Sequence, residues 1–146
     1  MPPLYLALKM FHFIGLSLGV GASFAILALR LYARALPPDE RAKLTLGAGG
    51  ALSKNGSIGL GLLIVSGLGM FFMRGPATVM AAGGPAFHAK LTLVVILSGV
   101  LGYSQVLRKR AREADGGPAL AKMPRVGAAL LLLSVATVVA AVIAFQ

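Results

Sequence analysis

The chain has 146 residues, 58% of them hydrophobic and only 12% charged. A soluble domain carries charge on about a quarter of its residues, so the composition argues against both a water-soluble globule and a disordered chain. There is no cysteine, which removes disulfides, thiolate metal sites and thiol catalysis. The net charge is +10, from 14 Lys and Arg against 4 Asp and Glu. In so apolar a chain it reads as the basic rim of a membrane protein, not as a nucleic-acid surface.

The first apolar run, Met10 to Leu29, is twenty residues long, and His12 is its only ionisable group. It is too long for the apolar part of a signal peptide and only Lys9 precedes it, so it reads as a retained span. Pro37-Pro38-Asp39-Glu40 then predicts a helix start with acids favouring the dipole. An amphipathic segment from there leads into the second run, Gly56 to Met73, which has no ionisable group. The stretch from Arg74 to Ala86 is rich in Gly, Pro and Ala and predicts either a plain connector or a lid over the mouth of a bundle. Leu91 to Leu107 is the third run, with Phe87 just before it, and Ala114-Asp115-Gly116-Gly117-Pro118 predicts the turn that ends it. The fourth run, Val126 to Phe145, has Ser134 and Thr137 as its only hydroxyls.

A helix needs about 20 apolar residues to cross the hydrocarbon core, with a range of about 17 to 25. Lipid offers no partner to free backbone groups, and no run alternates as a barrel strand would. The expected fold is therefore an all-α membrane protein: a single integral domain over 1–146, folded as an up-down bundle of four transmembrane helices. The spans are expected at about 8–32, 54–74, 87–108 and 125–145. Eleven of the 19 glycines lie inside the four runs, where small residues let helices approach closely.

The charges orient the chain. Lys9, Arg74 and Lys90 lie on the side of the N-terminus and the second loop, and the other eleven basic residues lie on the opposite side. The positive-inside rule predicts a multi-pass protein of the cell inner (cytoplasmic) membrane with both termini outside the cytoplasm. Its first partner is the lipid bilayer, and nucleic acid is not expected.

Ionisable groups within a span are costly and pose a functional question. Lys9, His12, His88 and Lys90 all fall toward the sparsely charged side. His12 is eighteen residues from Arg30 and His88 is twenty from Arg108. At 1.5 Å per residue these are about 27 and 30 Å, nearly one depth. In an up-down bundle the first and third spans are diagonal, about 12–14 Å apart. Two imidazoles facing inward across that gap can ligate one metal or hold a planar macrocycle, and imidazole is a usual axial ligand of haem iron. Gly15 and Gly19 share the His12 face and would leave room for a flat ring. Lys9, Lys90 and Arg74 are within reach of a carboxylate. A copper-handling protein is the alternative, with Met10, Met70, Met73 and Met80 joining the histidines. A non-catalytic scaffold packed through its glycine-rich faces, against a partner or as a homo-oligomer, is another. No acid lies within a span and neither GxSxG nor HExxH occurs, which disfavours hydrolysis.

The segment Leu4-Tyr5-Leu6-Ala7-Leu8-Lys9-Met10-Phe11-His12, followed by Gly15 and Gly19, resembles the LKxxH opening of small four-helix membrane proteins. These include the HemJ-type protoporphyrinogen IX oxidases and the membrane domain of CopD-type copper-resistance proteins. Phe87-His88-Ala89-Lys90-Leu91-Thr92-Leu93 resembles the start of their third helix. The resemblance implies haem b held by His12, with Lys90 important at the site. It implies an oxidoreductase acting on a tetrapyrrole substrate, or in electron transfer, with a respiratory-chain electron acceptor. The chain lacks the tryptophan common in the oxidase's first helix and reads Ala28-Leu29-Arg30-Leu31-Tyr32 where the oxidase has an LPRLF type of stretch. The expected site is thus His12 and His88 as metal ligands, or His88 as a proton-handling group beside five-coordinate iron. Lys9, Lys90 and Arg74 are expected as propionate partners, and Gly15 and Gly19 as space for the ring.

Overall fold

The computed structural model describes residues 2–113 and 116–144. They form five helices, α1 (Pro3–Ala33), α2 (Pro38–Leu46), α3 (Ala48–Arg74), α4 (Pro76–Ala111) and α5 (Gly117–Ala144), with no strand among the described residues. Four stretches, Pro3–Ala33, Pro38–Arg74, Pro76–Ala111 and Gly117–Ala144, are long and apolar enough to cross a membrane. The chain is therefore an all-α, multi-pass membrane protein suited to a lipid bilayer. The turn expected at Ala114-Asp115 and the end of the fourth span at Phe145 lie outside the described residues.

Proline opens three of the helices, at Pro3, Pro38 and Pro76, where its missing N–H has no partner to lose. The helix start expected at Pro38 is present, with Asp39 and Glu40 in its first turn. The segment does not run on into the second span, because Gly47 breaks the backbone (φ −78°, ψ −86°) and α3 starts afresh at Ala48. The stretch after Arg74 is helical and not an open loop. Gly75 (φ 85°) makes the turn and α4 begins at once at Pro76. Gly84 (φ 49°, ψ −147°) and Pro85 then interrupt α4. Only glycine takes that left-handed backbone without strain, and proline cannot bond to the preceding turn. The segment before the break is anchored by Val79, which is buried with Phe87 and Ala144 beside Phe71 and Ala86.

Packing divides the spans into two hairpins. α1 packs chiefly on α3 and α4 on α5, while the hairpins meet more thinly through α1–α5 and α3–α4. Large apolar side chains such as Val65, Phe72, Val95 and Leu132 point outward. The two most completely enclosed side chains are Ser53 and Ser66. This inversion suits a chain whose solvent is hydrocarbon: bulk faces lipid and small residues let helices close.

The α1–α3 seam is the tightest contact. A Cβ on Gly59 would stand 2.7 Å from both Gly15 O and Gly19 N, and one on Gly56 would touch Ala22 Cβ at 3.5 Å. Residues 12, 15, 19 and 22 follow heptad spacing, the period of a helix seam.

Arginine ties the basic end together. Arg30 donates to Met123 O (2.6 Å) and Pro124 O (2.8 Å), joining α1 to α5. A Cβ on Gly127 would run into that guanidinium, so glycine leaves it room to lie along α5. Arg41 donates to Ala33 O (3.0 Å), Arg34 O (3.1 Å) and Leu36 O (3.0 Å), closing the C-terminal end of α1. Arg108 and Arg112 reach Thr45 O (3.3 Å) and Leu46 O (3.4 Å) at the end of α2.

Candidate functional site

His12 is the one histidine held inside the molecule. Its ring is half-buried between α1 and α3, and Nδ1 stands 3.0 Å from Ser66 Oγ. Ser66 has a single hydroxyl proton and donates it to Leu62 O one turn back. With that proton committed to Leu62 O, Ser66 Oγ is the acceptor for an Nδ1–H tautomer of the neutral ring. The Leu63 carbonyl stands beside the same ring. Both partners belong to α3, and in the Nδ1–H tautomer Nε2 is the nitrogen that keeps a lone pair. A ligating or proton-accepting histidine is commonly prepared in this way, with one nitrogen oriented by a hydrogen bond and the other left basic. Gly67 makes the approach possible: a Cβ there would already lie 3.4 Å from His12 Cε1.

Lys90 of α4 is half-buried and close enough for its charge to act on the His12 imidazole. The structure thus brings His12 and Lys90, expected site residues on diagonal spans, into electrostatic range. It does not bring the two imidazoles together. His88 is exposed, its ring set edge-on to Phe87 at 6.2 Å, and among the described residues no hydrogen bond or ring contact joins it to His12. The reason lies in the phase of α4. Phe87 takes the inward position, stacked on Phe71 at 5.9 Å and 10°, and this turns its neighbour His88 outward.

The other expected residues divide. Lys9 is exposed. Arg74 is exposed and lies over the Tyr5 ring at 5.1 Å, a cation–π contact at the last turn of α3. Gly15 does not provide space for a ring, since its open side is filled by the Gly59 carbonyl. Gly19 has nothing within 4 Å of its would-be Cβ, though its own amide nitrogen touches the Gly59 position. Met10, Met73 and Met80 are exposed, so these three candidate copper ligands point out of the bundle.

Ser66 escapes a search for ionisable groups, yet the seam register locates it. Gly19–Gly59, Ala22–Gly56 and His12–Ser66 are pairs whose residue numbers each add to 78. Once the small residues fix the antiparallel alignment, Ser66 is the residue opposite His12.

Comparison of the chain with known protein families, with curated proteins and with solved structures returns no match.

Proposed function

We propose that this is a haem b-binding protein of the inner membrane, of oxidoreductase class, in which His12 would hold the iron. The carrying observation is the imidazole held by Ser66 within an apolar span, whose Nδ1–H tautomer leaves Nε2 as the nitrogen that would bind iron. The donor set fits one histidine ligand on the iron and not a histidine pair. A haem held there supplies one-electron chemistry, either in electron transfer or in oxidation of a tetrapyrrole. The chain's own residues hold the ligand and balance charge. Ser66 orients His12 and raises its basicity as a donor. Lys90 offers an ammonium to a propionate or to an anionic tetrapyrrole substrate, and a half-buried cation strengthens such a pair. His88, exposed on α4, is the proton-handling group in this reading. The surrounding apolar side chains keep water away and tune the potential.

The test is the protein purified in mild detergent after expression with haem supplied. We expect a Soret band that shifts on dithionite reduction, with about one haem per chain. His12→Ala loses most of the haem, and His88→Ala keeps it with an unchanged spectrum. Full haem retention in His12→Ala rejects the ligand, and a colourless wild-type protein rejects the function. The basic end faces the cytoplasm in this reading. Because the chain has no native cysteine, a cysteine introduced at Gly117 reports orientation: labelling by an impermeant reagent in intact cells would reverse it.

A further inference from the structure

A cleft of about 590 Å³ opens between α3 and α4 at the basic end of the bundle, lined by Lys54, Ser57, Gln105, Arg108, Lys109 and Arg112, with Gly50 and the acid Glu113. Four cations thus face one carboxylate. Arg108 is only 7% exposed, and its Nε is enclosed with no hydrogen-bond partner, although the side chain lines the cleft. A buried guanidinium N–H without an acceptor is costly, and it leaves the cation on the wall of the cleft without a full set of acceptors from the protein. The polar neighbours do not supply one. Gln105 Nε2 donates to Ser53 Oγ (3.1 Å) and Ser57 Oγ (3.0 Å), and Ser57 donates onward to Ser53 O (3.0 Å). Glycine keeps the floor open for the guanidinium groups: would-be Cβ atoms on Gly49 and Gly50 lie 3.6 Å from Arg108 NH1 and 3.4 Å from Arg112 NH2. Gly50 stands in the first turn of α3, whose positive dipole end carries no acid.

We propose that this cleft binds a phosphate group, carried by an anionic phospholipid. Forked guanidiniums and ammoniums at a helix N-terminus match the charge and the several acceptor oxygens of a phosphate. Depth selects the lipid as its source. Lys54 lies two residues before the second apolar run and Arg108 directly after the third, so the cleft sits at the headgroup level of the bilayer. The acyl chains of such a lipid would then lie along the apolar surfaces of α3 and α4.

Native mass spectrometry of the detergent-solubilised, delipidated full chain tests this, with phosphatidylglycerol or phosphatidylcholine added back at equal concentration. We expect one phosphatidylglycerol retained per chain, bound at least about tenfold more tightly than phosphatidylcholine. The double variant Lys54→Gln/Arg112→Gln should lose that preference, each basic residue near the surface contributing about fivefold. The double variant Lys122→Gln/Arg125→Gln removes the same charge from the same end outside this cleft and should keep the preference. Helix content by circular dichroism shows that both variants fold. Equal retention of the two lipids overturns the site, and so does an equal loss of preference in both double variants. Displacement of the lipid by micromolar inorganic phosphate overturns the lipid as the source.

Discussion

Both hairpins are rich in glycine, and they use it differently. In the first, Gly15 and Gly59 sit where a Cβ on either would strike the other's carbonyl, so α1 and α3 touch backbone to backbone. In the second, Gly99 and Gly102 have nothing within 4 Å of a would-be Cβ, and the buried residues include Ser104, Leu107, Ala119, Met123 and Leu130. One seam is closed by the absence of side chains and the other is filled by them. A flat ring cannot enter the first seam. The haem proposed at His12 would therefore lie beside that seam and not within it.

Substitution at the closed seam should break this contrast most severely. Gly59→Leu forces α1 and α3 apart, and we expect a loss of about 3 kcal/mol or more in denaturant titration of helix content in micelles. An unchanged midpoint would mean that the seam is not closed by backbone contact. Gly127→Ala comes next. It displaces the Arg30 guanidinium from two carbonyls, and hydrogen bonds to a charged group contribute about 1.5–3 kcal/mol. A loss of about 2 kcal/mol is expected, and it should vanish when Gly127→Ala is made on an Arg30→Gln background. Ser66→Ala removes one buried bond within the same tight seam, for about 1 kcal/mol. Nitrogen chemical shifts of His12 should then lose the Nδ1–H tautomer signature; if wild type itself shows Nε2–H, the orientation of the ring is wrong. Gly102→Ala, on the second hairpin, should leave stability unchanged or raise it by up to about 1 kcal/mol through helix propensity. A loss as large as that of Gly59→Leu would erase the distinction between the hairpins.

The four spans were legible because hydropathy over about 20 residues is a bulk property that local detail cannot overturn. The start at Pro38 was legible because Pro-Asp-Glu carries its own dipole logic. The interruptions at Gly47 and Gly84 were not, since a glycine in an apolar helix reads equally as seam, hinge or bystander until its neighbours are known. Helix phase was the other missing quantity. His12 and His88 lie at matched depth by counting, but depth says nothing about rotation, and Phe87 decides the rotation of α4 by taking the interior. Gly15 and Gly19 were correctly grouped with His12 on one face. That face meets α3, and a single chain of letters does not reveal which neighbour a face meets.

The thin joint between the hairpins bears on how the protein is made. The α1–α3 seam joins helices that both precede α4 in the chain, so both are synthesised before it. The first half can settle in the bilayer before the second arrives, and α5 then docks by presenting two carbonyls to a waiting guanidinium. Assembly in that order would keep the closest backbone contact between neighbours along the chain and leave the last encounter to a bond that a long side chain can find by reaching.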